Sequence, residues 1–148
     1  MTELVGRPME ILLVEDNPMD ARLTLESLAE SRIQHRLTIV HDGAEAMHFL
    51  RQQTWFARAP RPDLILLDLN LPRKDGRQLL AEIRQNKDLC QIPVVILTGS
   101  DSEDDQLYGQ ESPVEGCLHK PVEREKFVAL VRRLKEYWHA DVILPASS

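Results

Sequence analysis

Three short runs of the sequence are almost wholly apolar, and they constrain the fold more than any other feature. They are Ile11–Val14 (ILLV), Leu64–Leu67 (LILL) and Val94–Leu97 (VVIL). Near-continuous apolar runs are typical of parallel strands that are covered on both faces, whereas half-exposed strands show an alternating pattern. Two weaker runs, Leu37–Val40 and Gly116–Leu118, complete a set of five predicted strands.

Segments with helical periodicity separate these runs. In the first segment, Asn17 and Pro18 suit the N-cap and the first helical position. The spacing of Ala21, Leu25 and Leu28 predicts the buried face of that helix. Four more helices are predicted, from DGAEAMHFLRQ, from DGRQLLAEIRQ, over Asp101–Gln110, and at the end of the chain with the apolar stripe Phe127, Leu130, Val131, Leu134 and Trp138.

Strand and helix therefore alternate five times along the chain, which predicts an α/β fold with a parallel sheet and right-handed crossovers. The expected architecture is a three-layer α/β/α, flavodoxin-like, doubly wound five-stranded sheet of order 2-1-3-4-5. Residues 9–138 are predicted to form one domain, with an N-terminal extension over 1–8 and a C-terminal tail over 139–148.

Composition excludes several classes of function. The formal net charge is -6, whereas nucleic-acid binding usually needs a basic patch, so no nucleic-acid partner is expected. No apolar run approaches the roughly 20 residues of a membrane span, and the N-terminus lacks the apolar core of a secretory signal. Cys90 and Cys117 lack metal-type spacing and suggest reduced thiols. We predict a cytoplasmic protein without membrane contact.

Polar residues follow four of the five predicted strands. Glu15 and Asp16 follow the first, and Asp68, Thr98 and Lys120 end the third, fourth and fifth. Ligands bind at this edge of an open parallel sheet, near the point where strand order reverses. Three neighbouring carboxylates require either a proton or a cation, and a small set of hard oxygen ligands suits Mg²⁺. A carboxylate, a cation, a hydroxyl and a lysine match phosphoryl transfer, with the carboxylate at position 68 as the nucleophile.

Four motifs, ILLVEDNPMD, PDLILLDLNLPRKDG, PVVILTGS and HKP, occur in this order over residues 9–138. Together they resemble the receiver domain of response regulators of the chemotaxis-regulator type. The lengthened approach ARAPRPDLILLDLNLPRKDG and the ending LKEYWHADVILP more narrowly resemble the single-domain regulators that accompany bacterial and cyanobacterial phytochromes.

The resemblance implies a response regulator of a two-component phosphorelay. Asp68 would accept a phosphoryl group from a phosphohistidine of a sensor histidine kinase, which the narrower resemblance makes a phytochrome. Thr98 and Lys120 would contact that phosphoryl group. The protein would not be an enzyme beyond self-phosphorylation from phosphohistidine and slow autodephosphorylation.

The resemblance also implies the ligands of the Mg²⁺ ion. Asp16, Asp68 and the backbone carbonyl of Asn70 would bind it, and Glu15 would assist through water.

The sequence departs from the family in one position and adds a tail. Cys117 stands where receivers usually carry Tyr or Phe, three residues before Lys120. We therefore predict that the switching element is Asp101–Gln110 instead. The apolar VILP of the tail predicts a homodimer through the fourth and fifth predicted helices, the fifth strand and the tail, with output by protein contacts.

Three rival interpretations agree less well with the sequence. Haloacid-dehalogenase-like phosphatases use Asp-x-Asp with the second Asp as general acid or base, but Asn70 cannot transfer a proton. A pseudo-receiver, acting as a non-phosphorylated binding module, is disfavoured because the full set of site residues is present. A nucleotide-binding Rossmann domain is rejected because VEDNPMD contains no glycine loop.

Overall fold

The computed structural model describes residues 7–53, 56–68, 76–99 and 114–138. The predicted helix over Asp101–Gln110, the predicted tail over 139–148 and Asn70 lie outside these ranges. The described elements are β1 (Met9–Val14), α1 (Pro18–Glu30), β2 (His35–Val40), α2 (Gly43–Leu50), β3 (Leu64–Asp68), α3 (Gly76–Gln85), β4 (Val94–Thr98), β5 (Gly116–His119), α4 (Arg124–Arg133) and a 3-10 turn (Lys135–Tyr137).

The five strands form one parallel sheet in the order β2-β1-β3-β4-β5, which confirms the predicted topology. Strand order reverses between β1 and β3, where Val14 pairs with Leu67. Strands β3 and β4 are buried throughout and β1 nearly so, as their continuous apolar runs predict. The edge strand β2 is only partly buried, which explains its weaker apolar signal.

Helices cover both faces of the sheet and complete the three layers. Ile11 and Leu13 of β1 join the cluster that includes α1 and α4, while Leu12 and Val14 join the cluster that includes α2 and α3. This division follows from the two-residue period of a strand. None of the helices in the described ranges has the length and apolar character needed to cross a membrane.

The start of α1 matches the prediction, but its buried face does not. Asn17 caps the helix and Pro18 occupies its first turn. Leu25 was predicted to be buried and is 43% exposed, so that prediction is wrong. Thr24 is 1% exposed and completes the buried face with Ala21 and Leu28. Positions three and four residues apart both lie near one face of a helix, and here the smaller, polar side chain is the one packed inside.

The predicted apolar stripe of the last helix extends beyond the end of that helix in the structure. Phe127, Leu130, Val131 and Leu134 are buried as expected, but α4 ends at Arg133, and Trp138 lies beyond the 3-10 turn in an extended conformation. Trp138 is partly buried against the same apolar cluster, and its Nε1 donates a hydrogen bond to the backbone oxygen of Asp63 at 2.5 Å. A tertiary contact, rather than helical periodicity, therefore positions this ring.

Asp63 connects several segments at the amino ends of the strands. Its carboxylate accepts two hydrogen bonds from the Arg7 guanidinium, at 2.7 and 2.8 Å, and one from the Glu10 backbone N–H at 2.8 Å. Its own N–H donates to the Glu10 carbonyl at 2.7 Å. Together with the hydrogen bond from Trp138, these bonds tie Arg7 and the residue that follows the 3-10 turn to the start of β3.

A second ion pair connects α3 to the segment that leads into β5. Arg84 Nη2 lies 2.6 Å from Glu115 Oε1, and both side chains are mostly buried. Arg84 also donates to the backbone oxygens of Cys90 and Ile92, and Glu115 Oε1 accepts the Val94 N–H at 2.7 Å. The pair therefore fixes the beginnings of β4 and β5.

Candidate functional site

The carboxyl ends of the central strands bring the predicted polar residues to one edge of the sheet. Glu15 and Asp16 follow β1, Asp68 ends β3 and Thr98 ends β4. Glu15, Asp68 and Thr98 are buried, whereas Asp16 is exposed. Lys120 follows β5, and its backbone N–H donates to the Thr98 carbonyl at 2.8 Å. The parallel register alone thus gathers all five side chains.

The three acids form a compact group of oxygen ligands. One carboxylate oxygen from each of Glu15, Asp16 and Asp68 lies within 4.8 Å of the others. Receiver domains bind Mg²⁺ or Mn²⁺ at an acidic site of this kind. Hard carboxylate oxygens are the ligands that such cations prefer, so the donor set fits a divalent ion. The carbonyl of Asn70 lies outside the described residues.

The Lys120 ammonium contacts three carboxylates at once. Its Nζ lies 2.7 Å from Glu15 Oε1, 2.9 Å from Asp68 Oδ2 and 3.2 Å from Asp20 Oδ2. Sequence reasoning missed Asp20, which lies in the first turn of α1. The available signal was its place in the first turn of a helix that begins directly after the Glu15–Asp16 pair.

Burial and crowding perturb the site's charges. Burial raises the pKa of Glu15 to about 7, and a hydrogen bond with Asp68 adds to this effect, while Lys120 opposes it. Burial acts to lower the pKa of Lys120, but hydrogen bonds with Glu15 and Asp68 outweigh it and raise that pKa above its ordinary value. The lysine therefore stays charged, and the site retains an excess of negative charge that a proton or a cation must offset.

A family comparison covers most of the chain. The model of the response regulator receiver domain matches residues 11–132. The chain belongs to this family. As a receiver domain it is a response regulator of two-component signalling, and such regulators are in general not true enzymes. The match leaves the haloacid-dehalogenase-like interpretation without support.

Sequence relatives include other response regulators. The chain is 48% identical over 147 residues to response regulator Rcp1 of Synechocystis sp., and the alignment covers 99% of this chain and 100% of that one. A crystal structure of the Mn²⁺-bound form of Rcp1 aligns with a TM-score of 0.72 and 50% identity, covering 94% of this chain and 100% of that chain.

A second solved structure bears on the narrower resemblance. The crystal structure of the phosphorylated cyanobacterial phytochrome response regulator RcpA aligns with a TM-score of 0.73 and 45% identity, covering 94% of this chain and 99% of that chain. The resemblance of this receiver domain to phytochrome response regulators is therefore confirmed.

Proposed function

We propose that this receiver domain accepts a phosphoryl group on Asp68 from a sensor histidine kinase of the phytochrome type. One observation carries the proposal: the buried Asp68 carboxylate lies in a group of three acids and contacts the Lys120 ammonium at 2.9 Å. In such surroundings the nucleophile is held in place and a cation lies beside it. Phosphoryl transfer depends mainly on positioning and charge neutralisation. The similarity to RcpA supports the kinase class.

In the proposed step, an Asp68 oxygen attacks the phosphorus of a phosphohistidine. A new P–O bond forms, the P–N bond breaks, and its electron pair stays on the imidazole nitrogen of the kinase. Lys120 contacts one oxygen of the transferred group, and the hydroxyl of Thr98 donates a hydrogen bond to another. The product is an aspartyl phosphate, which the domain itself hydrolyses slowly.

Mg²⁺ is the proposed cofactor. Asp16, Asp68 and the Asn70 carbonyl would hold the ion, with Glu15 assisting through water. Bound there, Mg²⁺ would neutralise negative charge that gathers on the phosphoryl oxygens. The 4.8 Å grouping of acid oxygens and the Mn²⁺-bound form of Rcp1 support this assignment.

Replacement of the nucleophile tests the proposal. Asp68→Asn should abolish Mg²⁺-dependent labelling by acetyl phosphate and by a phosphorylated histidine kinase, while the protein stays folded. Asp88→Asn is the control, because it removes one carboxylate from an exposed turn after α3 and should be labelled normally. Peptide mapping that places the label on another residue would contradict the assignment.

We further propose a cytoplasmic homodimer that signals by protein contacts and binds neither nucleic acid nor membrane. The proposed interface is formed by β5, by α4, by the predicted helix over Asp101–Gln110 and by the apolar tail over 139–148. Light scattering should show weaker dimerisation when the chain ends at Trp138. Trp138 is retained because its hydrogen bond to Asp63 belongs to the domain. Unchanged dimerisation would remove the tail from the interface.

A further inference from the structure

Asp20 stands apart from the other two carboxylates that contact Lys120. Glu15 and Asp68 belong to the group of three acids suited to a metal ion, and Asp20 does not. Its Oδ2 lies 3.2 Å from Lys120 Nζ, on the side of α1. The contact joins a helix to a loop that is distant in sequence, so it is a feature of the tertiary structure rather than of local geometry.

Asp20 is also the most exposed of the three carboxylates. Its side chain is 35% exposed, compared with 8% for Asp68 and 0% for Glu15. A cleft of about 130 Å³ lies beside it, lined by Asp20, Leu23, Thr24, Lys120 and Pro121. A volume of this size holds a few water molecules, each of which occupies about 30 Å³ in the liquid. The Asp20 contact with Lys120 can therefore break with water replacing it on both partners.

We infer that Asp20 is a positioning residue that draws Lys120 away from the incoming phosphoryl group and supplies negative potential to the metal site. The inference rests on the proposed function. During transfer, one Asp68 oxygen becomes bonded to phosphorus, and Lys120 must turn toward the new phosphoryl oxygens. Asp20 is unchanged by that reaction, so it keeps competing for the same ammonium and repels the anionic group.

The inference predicts opposite effects on the two ligands of the site. Without the Asp20 charge, the site is less negative, and Mg²⁺ should bind more weakly. The same change removes one of the three carboxylates that compete for Lys120 and also removes a repulsion, so an anionic phosphoryl mimic should bind more tightly. A distortion of the first turn of α1 would instead lower the affinity for both ligands.

Asp20→Asn tests this with one isosteric change. We expect about a two- to fivefold loss of Mg²⁺ affinity in the absence of phosphoryl mimic, the size typical of partly exposed charge pairs. At saturating Mg²⁺, we expect about a two- to fivefold gain in beryllofluoride affinity. Beryllofluoride on Asp68 stands in for the phosphoryl group. Calorimetry or NMR titration measures both constants, and thermal unfolding verifies that each variant is folded.

Two further variants separate charge from structure. Glu26→Gln removes one acid from an exposed position of the same helix and should leave both affinities unchanged. Asp20→Glu restores the charge and should return both affinities toward the wild-type values.

The inference is overturned if Asp20→Asn moves both affinities in the same direction or neither, or if Glu26→Gln reproduces its effect. A different result contradicts the proposed function: either wild-type protein does not bind beryllofluoride, or the Asp68→Asn variant still binds it. Because the inference rests on the proposed function, that result would contradict the inference as well.

Discussion

The Nζ atom of Lys120 lies 2.7 Å from Oε1 of Glu15, a residue whose side chain has no exposed surface. The two residues follow β5 and β1, and strands β3 and β4 lie between those strands in the sheet. The Lys120 side chain therefore reaches from β5 across β4 and β3 to the end of β1, and its ammonium offsets part of the charge of the acids gathered there. The state of charge of Glu15 should accordingly influence the stability of the metal-free domain.

Stability should depend on pH through Glu15 when a chelator keeps the protein free of metal. The folded-state pKa of about 7 exceeds the ordinary value of 4.5, so the stability contributed by the protonated form is present below 4.5 and is lost as pH rises to about 7. The Glu15→Gln variant lacks this loss. Urea unfolding should show the variant gaining about 1–3 kcal/mol relative to wild type between pH 5 and pH 8. Parallel pH profiles for the two proteins would refute the prediction.

Asp16 should matter most for Mg²⁺ binding, because it is the exposed member of the acid group. Asp16→Asn should lower Mg²⁺ affinity by about tenfold or more in a calorimetric titration, since losing even an indirect metal contact commonly has an effect of that size. Asp42→Asn provides a matched control. Asp42 follows β2 at the same edge and caps α2, and Asn preserves that cap. Equal affinities for the two variants would argue against the metal assignment.

The Arg84–Glu115 pair should contribute strongly to stability. Arg84→Met keeps the apolar stem but leaves the mostly buried Glu115 carboxylate without its cation. Unpaired buried charges are costly, and urea unfolding should show a loss of about 3 kcal/mol. Arg22→Met breaks the exposed pair with Glu26 and should change stability by less than about 0.5 kcal/mol. A similar effect of both substitutions would mean that the burial of the Arg84 pair is unimportant.

Phosphorylation should act mainly on the segment after Thr98, which includes the predicted helix over Asp101–Gln110. Cys117 is exposed, and it is smaller than the aromatic side chain usual at this position, so it offers no large ring to move behind Thr98. Hydrogen exchange with and without beryllofluoride should change over residues 99–111. Unchanged exchange there, with large changes around Cys117, would show that the response passes through β5 instead.

Much of the fold could be predicted because its signals are local. Strands buried on both faces need continuous apolar runs, and Asn17 with Pro18 marks a helix start within two residues. The site could be predicted almost as well, because parallel strands deliver their carboxyl ends to one edge whatever the loops do. Glu15 and Asp68 needed only the strand order to be placed together.

The features that sequence reasoning missed depend on tertiary contacts. Nothing local distinguishes Thr24 from Leu25 as the buried side chain, because packing against the sheet decides which one turns inward. Asp20 became part of the site only through Lys120, which approaches from β5. The pairing of Arg84 with Glu115 likewise joins segments whose proximity follows from the completed sheet.

The hydrogen bonds that link Asp63 to Arg7 and Trp138 determine where the chain can be extended or reconnected. Both partners lie at the amino ends of the strands, whereas Lys120 and the three acids lie at the opposite edge of the sheet. A fluorescent protein or surface anchor attached before Arg7 or after Trp138 would thus stand clear of the reactive edge. Since the two attachment points meet at one residue, joining them covalently and cutting the chain at the exposed turn near Arg32 would give a circular permutant with an intact site.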